Sequence, residues 1–329
     1  MIRILHDTNY DFIRWWKVMA AITVAFILLG LGSLAIKPPN YSIEFTGGTL
    51  MQLEFTQPPD VGLIRSTLDQ AGIAGAEIQQ FGSNREFTVR VQDKAAVAAQ
   101  SKGAESIVVT IGRVLKDKFG ADNIVVKRSE GVGPRVGAEL KRGAIIAILL
   151  SFLITLVYLS IRFEWRFAAA AVIATSHDVF TTIAFLKLMH LEISLTVVAG
   201  LLTVLGYSLN DTIIIFDRVR ENLRKGRKET LYDTLNRSIN ETLPRSVLTH
   251  ATTFAATLAL LLFAGEVIRP FAWVMAFGIV TGTFSSIYVA APVLLWIERK
   301  WPRKTGARVS SSTATPTSRT RRSPATATT

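Results

Sequence analysis

Four ionisable side chains inside apolar segments are the residues of this sequence best placed to do chemistry. His177 and Asp178 are adjacent and lie halfway along one apolar segment, Asp211 lies in the next, and Arg245 begins another. The polar residues close to Asp211 in its own segment are Ser208, Asn210 and Thr212. A charged group near the centre of a bilayer is costly, so it normally faces a partner or a path for water. These residues therefore form the candidate functional site.

Proton transfer is the chemistry that these residue types favour. A carboxylate in a low-dielectric environment binds a proton more tightly than one in water. Asp211 can thus take a proton from the more acidic side of a membrane and release it on the other. A nearby cation such as Arg245 stabilises the ionised carboxylate, and movement toward or away from it converts proton binding into motion. Because imidazole exchanges protons near neutral pH, His177 is a second candidate station.

Structural explanations compete with this interpretation. Asp211 can be a buried hydrogen-bonding group between helices, and Arg245 can be a positively charged anchor at a membrane boundary. His177 with Asp178 can be a satisfied polar pair. His250, among threonines in the segment that Arg245 begins, is expected to pack rather than react. The residues alone leave these alternatives open.

The segments that must position these residues are long and apolar. Of the 329 residues, 49% are hydrophobic and only 19% are charged, and this balance excludes a compact soluble enzyme. Six stretches approach or exceed the roughly 20 residues needed to cross a bilayer. They are residues 18–36, 143–161, 167–186, 193–216, 246–264 and 271–297. The absence of cysteine excludes disulfides, thiolate metal sites and cysteine nucleophiles.

The distribution of basic residues predicts the orientation of these spans. Lys and Arg are concentrated in residues 1–17, 217–245 and 298–329, and short segments rich in them stay on the cytoplasmic side. We therefore expect a membrane protein with both termini on the inside and residues 37–142 on the outside. Much of the net charge of +12 lies in the C-terminal tail, so nucleic acid is not an expected partner. The tail's Ser, Thr, Ala, Pro and Arg composition predicts disorder.

Residues 37–142 are numerous enough for one small domain. Alternating apolar residues predict strands at 50–55, 77–81, 86–92 and 123–127. Helical spacing predicts helices at 60–71, with Asp60 as the N-cap, and at 106–119. The order βαββαβ is that of a ferredoxin-like α+β domain. This segment has no histidine, so we expect it to bind or to move rather than to catalyse. Gly133-Pro134 at its end is either a hinge or a simple turn.

Several motifs resemble the SecF family of the bacterial Sec translocase accessory complex. Residues 206–222, GYSLNDTIIIFDRVREN, are similar to the family's fourth-span signature. Further matches in the same order are VGP at 132–134, SHDV at 176–179 and NRSINETLPRSVLT at 236–249. The motif IEFTGG after the first span contains Glu44, Phe45, Thr46, Gly47 and Gly48. The family usually has Asp at position 44, and we expect the loop to keep its shape with Glu.

The resemblance, which extends over about residues 7–301, implies a fold and a function. The expected fold is an α-helical polytopic membrane protein with six transmembrane helices, similar to the resistance-nodulation-division (RND) transporters, and a small ferredoxin-like periplasmic domain. Members of the family pair with SecD and use the proton-motive force to help preproteins leave the SecYEG channel. By resemblance, Asp211 carries the proton, Arg245 is its partner, and His177 and Asp178 form a polar pair.

The resemblance also implies the partners. These are SecD on a separate polypeptide, SecYEG and an unfolded preprotein, with YajC, YidC and membrane lipids as further candidates. The coupling ion is the proton, and no other cofactor is expected.

Two other functions remain open at this point. One is an RND-type exporter of small molecules, although a single outside domain of 106 residues argues against it. The other is a scaffold that stabilises the translocon and conducts nothing, since an unused Asp211 would give the same sequence. An enzyme is the least favoured class because the sequence has no phosphate-binding loop and no nucleophile-elbow serine.

Overall fold

The computed structural model describes residues 8–73, 75–80, 82–91, 103–225, 229–265 and 267–302. Its helices, in chain order, are α1 Trp16–Ile36, α2 Ile43–Thr46, α3 Val61–Gln70, α4 Gly103–Phe119, α5 Pro134–Arg162, α6 Trp165–Leu188, α7 Leu195–Arg224, α8 Leu231–Phe263, α9 Arg269–Ser285 and α10 Ala291–Lys300. A π-helical turn, Ser286–Ala290, joins α9 to α10 and makes one continuous helix of them.

Six helices in the described part of the chain are long and apolar enough to cross a membrane, as the sequence predicts. They are α1, α5, α6, α7, α8 and the combined α9–α10. Several extend beyond the predicted apolar stretches. In particular, most of residues 217–245, expected to be a loop, is helical, because α7 continues to Arg224 and α8 begins at Leu231. Buried Val219, Leu235 and Ile239 pack together there and stabilise the extensions. Residues 303–329, for which the sequence predicts disorder, lie outside the described residues.

The centre of the membrane bundle consists of α6, α7 and α9–α10. In the apolar window of α6, 56% of the residues are buried, against 6% in the windows of α1 and α5. Helices α1 and α5 are therefore peripheral. Two apolar clusters fill the centre. One, around Leu201 and Val274, lies toward the extramembrane domain. The other, around Phe167, Phe216 and Leu294, lies at the opposite end.

The extramembrane domain, residues 48–132, contains β1 Gly48–Phe55, β2 Glu77–Gln80, β3 Glu86–Val91 and β4 Ile124–Val132. The sheet order is β2-β3-β1-β4 with all neighbours antiparallel. With α3 and α4 this confirms the predicted βαββαβ order and is consistent with a ferredoxin-like arrangement. Asp60, the predicted N-cap, accepts a hydrogen bond from the Gly62 amide at 2.8 Å at the start of α3.

The end of the domain differs from the predicted boundary at residue 142. α5 already begins at Pro134, so residues 134–142 belong to the helix and not to the domain. Gly133 is the N-cap and Pro134 the first helical residue, a position that suits proline because the amide there needs no partner. Gly133-Pro134 is therefore the start of α5, and a hinge at this point stays a prediction.

The domain is attached to the bundle by more than the chain connections at its ends. The Ser42 amide donates to the Ile193 carbonyl at 2.9 Å, and the Ile193 amide donates to the Asn40 carbonyl at 2.7 Å. These bonds join the segment after α1 to the loop before α7. Arg90, on β3, forms an ion pair with Glu192 in the same loop. Burial raises the pKa of the Glu192 carboxyl, and the Arg90 charge opposes that rise.

Glycines allow the central helices to approach closely. A methyl group at Gly278 of α9 would overlap Val204 of α7, and one at Gly282 would lie 3.0 Å from the Ser208 Cβ. The two glycines, four residues apart, form a small-residue face of this span.

We expect Gly278→Ala to lower the free energy of unfolding by about 1–3 kcal/mol, since the added methyl forces the helices apart. Gly32→Ala on α1 is the control, because nothing lies within 4 Å of a Cβ there. Thermal unfolding in detergent measures both. Equal midpoints for the two variants would contradict the close packing of α7 and α9.

We expect Arg90→Gln to loosen the attachment of the domain, because Glu192 loses its charged partner. The chain has no cysteine, so spin labels at Asp69→Cys and Leu188→Cys report the distance between domain and bundle without background. The distance distribution should broaden in Arg90→Gln and stay unchanged in Arg65→Gln, an exposed position on α3. A distribution like the wild type in both variants would show that Arg90 does not hold the domain.

Candidate functional site

Two buried carboxylates lie side by side in the middle of the bundle. Asp178 of α6 is 0% exposed and Asp211 of α7 is 3% exposed. Along each helix they lie between the two apolar clusters, with Leu186 and Val204 toward the domain and Phe167 and Phe216 toward the other end. The site is therefore a polar layer closed by apolar side chains on both sides.

Hydroxyl groups of two other helices satisfy the Asp178 carboxylate. Its Oδ2 accepts hydrogen bonds from Ser208 of α7 and from Ser285 of α9, the latter at 2.7 Å. Its Oδ1 lies 3.1 Å from Nδ1 of His177, the preceding residue. The Asp178 carboxylate thus connects three elements of the bundle centre.

The Asp211 carboxylate is held in the same way. Ser246 of α8 donates to Oδ1, and Ser286 donates to Oδ2 at 2.5 Å. Burying a charge requires hydrogen bonds to compensate for lost water, and here they come from two different helices. The Asp211 carboxylate therefore joins α7 to α8 and to the final span.

Consecutive serines connect the two carboxylates. Ser285 reaches Asp178 and Ser286 reaches Asp211, and the π-helical turn begins at Ser286. Short π-helical insertions are frequent at functional sites because they change the direction of side chains within a helix. The final span therefore contacts both acids through adjacent residues.

A line of polar residues on α8 continues from the site toward the domain. Thr242, Ser246, His250 and Thr257 are buried and lie four to seven residues apart on one face. His250 Nδ1 lies 2.8 Å from the hydroxyl of Thr283 on α9, and its ring contacts Tyr207 at 5.3 Å between centroids. The expectation that His250 only packs is incomplete, because it also hydrogen-bonds across helices.

The predicted site residues are partly brought together. Asp178, Asp211, Ser208 and Thr212 are buried in the same layer. The His177 side chain is largely buried, stacks on Phe284, and has no hydrogen-bond partner at Nε2 among the described residues. This nitrogen is available for a further hydrogen bond.

Two predicted residues lie outside the layer. Arg245 and Asn210 are exposed, and within the described part of the chain no hydrogen bond or ion pair joins Arg245 to Asp211. Successive residues of a helix point about 100° apart. Since Ser246 faces Asp211, Arg245 points toward the outer surface of the bundle.

Sequence reasoning missed three hydroxyl donors of the site: Ser246, Ser285 and Ser286. Serine in an apolar span is too common to mark a site by itself. The one signal for Ser246 is its spacing of four residues from His250 on α8.

The IEFTGG motif has a structural role at the start of α7. Glu44 accepts a hydrogen bond from the Leu195 amide at 2.6 Å, and it also binds the Ser42 hydroxyl at 3.1 Å. A carboxylate at a helix N-terminus accepts hydrogen bonds from the unpaired amides of the helix and compensates the positive end of the helix dipole. Phe45 is buried beside it, and Thr46 ends α2.

The two glycines of the motif let the chain turn into β1. Gly47 has φ 74° and Gly48 has φ 124°, which other residues adopt only with strain. Gly137 of α5 packs directly on this segment, where a Cβ would lie 3.1 Å from the Gly47 nitrogen. The motif therefore joins the domain, α5 and the helix that carries Asp211.

Comparison with known proteins assigns the family. The family described as protein export membrane protein SecD/SecF, C-terminal, matches residues 111–300, more than half of the chain. This chain belongs to the SecD/SecF family. The SecD/SecF GG motif matches residues 32–59, which include the two glycines above.

Individual members of the SecD/SecF family are similar over nearly the whole chain. The protein translocase subunit SecF of Gemmatimonas aurantiaca is 63% identical over 305 residues, 92% of this chain and 91% of that protein. The protein of the same name from Escherichia coli O157:H7 is 38% identical over 291 residues, 88% of each.

A solved structure of the SecD/SecF family has the same fold. SecDF, a translocon-associated membrane protein from Thermus thermophilus, matches with a TM-score of 0.76 and 35% identity. The match covers 89% of this chain but 39% of that one, so the present chain spans less than half of SecDF.

We expect Ser286→Ala to lower the free energy of unfolding by about 1–3 kcal/mol, because a buried carboxylate oxygen loses its donor. Ser151→Ala is the control, since that hydroxyl binds only the Ala147 carbonyl of its own helix. Thermal unfolding of the two variants in detergent decides the matter. If Ser286→Ala were as stable as Ser151→Ala, the hydroxyl would not hold Asp211.

Proposed function

We propose that this chain is the SecF-type accessory subunit of the Sec translocase. Together with SecD it uses the proton-motive force to promote a late stage of preprotein translocation through SecYEG. The observation that carries this proposal is the closed polar layer in which Asp178 and Asp211 are bound by serines of the neighbouring helical segments. Family membership supports the export role, and the layer supports the use of protons.

Protonation of Asp211 is the event that drives movement. The ionised carboxylate accepts bonds from both Ser246 and Ser286. Once an oxygen carries a proton it becomes a donor, so the serine hydroxyl that it faces must accept from it and direct its own O–H to another acceptor. The contacts of α7 with α8 or with the final span then change, and relative movement of these helices follows.

Arg245 takes part in proton release when α8 rotates. It is next to Ser246 on the helix, about 100° away around the axis. Rotation of α8 replaces the Ser246 hydroxyl opposite Asp211 with the Arg245 guanidinium, which favours the ionised carboxylate and releases the proton. His177, with its free Nε2, and Asp178 pass the proton between Asp211 and one of the two membrane surfaces.

Movement of α7 reaches the domain through Glu44, which binds the first turn of that helix and belongs to the segment that leads into β1. The domain therefore follows α7, and it holds or pulls the emerging chain. In this arrangement the domain lies in the periplasm, and both termini lie in the cytoplasm of a bacterium with the protein in its inner membrane.

SecD is the first partner in this proposal. The similar structure from Thermus thermophilus is of SecDF, and the present chain matches 39% of it, which supports pairing with a SecD part. The exposed apolar surface of α8 is available for that contact. SecYEG, YajC and YidC are further partners in this proposal, and the proton is its only cofactor.

The two rival functions receive less support. A small-molecule exporter lacks a relative among the similar proteins described above, which are translocase subunits. A non-conducting scaffold would not require two carboxylates to share adjacent serines in a closed layer. An enzymatic role has no supporting observation.

We expect Asp211→Asn to abolish proton flux in vesicles that contain this chain with its SecD partner, and to abolish export in cells that depend on this chain. Asparagine has nearly the same size and still accepts from Ser286, but it cannot carry a proton. Asp217→Asn is the matched control, because Asp217 is exposed on the same helix.

Three results are possible in this experiment. Loss of both flux and export in Asp211→Asn alone supports the proposal. Normal export with no proton flux, in both the wild type and Asp211→Asn, would support the scaffold function instead. Flux that persists in Asp211→Asn would remove Asp211 from the proton path.

A further inference from the structure

A cavity of about 240 Å³ lies on the domain side of the bundle, where α1 ends and α5 begins. Its apolar wall includes Leu34 of α1, Ile145 and Ile148 of α5, Ile183 of α6 and Leu201 of α7. The volume exceeds that of the ~150 Å³ apolar cavity that holds benzene in another protein. The cavity is distinct from the polar layer around Asp211, none of whose carboxylates or serines lines it.

The rim of this cavity carries two cations. Lys141 and Lys187 line it together with His190, and its lining includes no aspartate or glutamate among the described residues. Lys187 Nζ donates to the carbonyls of Lys37 at 2.6 Å and Pro38 at 3.0 Å. These bonds hold the ammonium group at the rim with a third N–H still able to donate. Lys141 Nζ lies 4.3 Å from the centre of the Tyr41 ring, which fixes a second cation nearby.

The position of these charges along the helices corresponds to the membrane surface. Lys141 precedes the apolar stretch of α5 by two residues, and Lys187 follows that of α6 by one. Both ammonium groups are therefore at the level where lipid phosphates lie. Ile148 is seven residues further along α5, about 10 Å deeper. The cavity thus has cations at headgroup level and an apolar interior at acyl-chain level.

We propose that this cavity binds an anionic phospholipid of the leaflet on the domain side. The phosphate lies between Lys141 and Lys187, and one acyl chain lies against Ile148 and Leu201. Two of the walls, α1 and α5, are peripheral helices with little surface buried in the bundle, so a lipid has access from the bilayer. Tyr41 and Phe45, next to Glu44, also line the cavity, and a bound lipid therefore contacts the segment that joins the domain to α7.

The test uses this chain together with its SecD partner in vesicles of phosphatidylethanolamine and phosphatidylglycerol. A trace of phosphatidylglycerol carries a photoreactive diazirine on one acyl chain, and mass spectrometry locates the labelled residues. Phosphatidylcholine with the same diazirine chain is the comparison lipid. Ile148→Trp fills the cavity, and Lys141→Gln with Lys187→Gln removes the charge. Ile154→Trp is the control on the same helix, at an exposed position outside the cavity.

We expect phosphatidylglycerol to label residues of the cavity wall in the wild type. Labelling should fall about 25-fold in the double lysine variant, since each of the two cations near a lipid surface contributes about a factor of five. It should be lost in Ile148→Trp and unchanged in Ile154→Trp. The lysine substitutions are at the helix ends near the surface. The comparison of the double lysine variant with the wild type therefore does not depend on whether the tryptophan variant folds.

Three results would overturn the proposal. Equal labelling in Ile148→Trp and Ile154→Trp would mean that only the general lipid surface is reached. Equal labelling by phosphatidylcholine, unaffected by the lysine substitutions, would exclude recognition of an anionic headgroup. The third result is that the lipid does not label the cavity wall in the complex, while a photoreactive group at position 148 crosslinks to SecD. It would show that the partner subunit fills the cavity.

Discussion

Burying two carboxylates in the centre of a membrane bundle is the constraint on which most of this structure depends. Water cannot compensate their charge there, so each oxygen must find donors among neighbouring helices. Asp178 and Asp211 are bound by four serines, on α7, α8, α9 and the π-helical turn. The helices must therefore approach closely enough for a short side chain to reach across, which explains Gly278 and Gly282 opposite α7.

The apolar clusters on either side of the layer serve the same constraint. They exclude water from both directions and keep the hydrogen bonds of the acids strong, because electrostatic interactions are larger in a low-dielectric interior. Buried polar residues of α8 continue away from the acids in both directions, with His250 and Thr257 toward the domain and Thr242 and Ser238 toward the other end. The polar layer is therefore closed by apolar side chains but is continuous with a polar face of α8.

Much of this arrangement can be predicted from the sequence, because hydropathy and alternation are local properties. The six spans, the βαββαβ domain and the Asp60 cap follow from residue spacing alone. The extents of α7 and α8 do not, since their polar ends are helical only because Val219, Leu235 and Ile239 pack together. The acids can be identified from the sequence because a charged group is costly in a bilayer. Serine carries no such cost, so the roles of Ser285 and Ser286 are visible only from their tertiary contacts. The exposed position of Arg245 likewise depends on which face of α8 meets α7, and spacing does not reveal that.

The length of α7 has a mechanical consequence. It is a single helix of 30 residues, about 45 Å long, and Asp211 lies 16 residues from its first residue and 13 from its last. A stiff rod that tilts about a point near its middle displaces both ends by similar amounts in opposite directions. One end is fastened to Glu44 beneath the domain, and the other projects past the apolar core, where Asn222 binds Ser238 and Glu241 of α8. In the proposed mechanism, a change at the Asp211 carboxylate therefore moves both ends of α7 at once, and no second signal is needed to coordinate them.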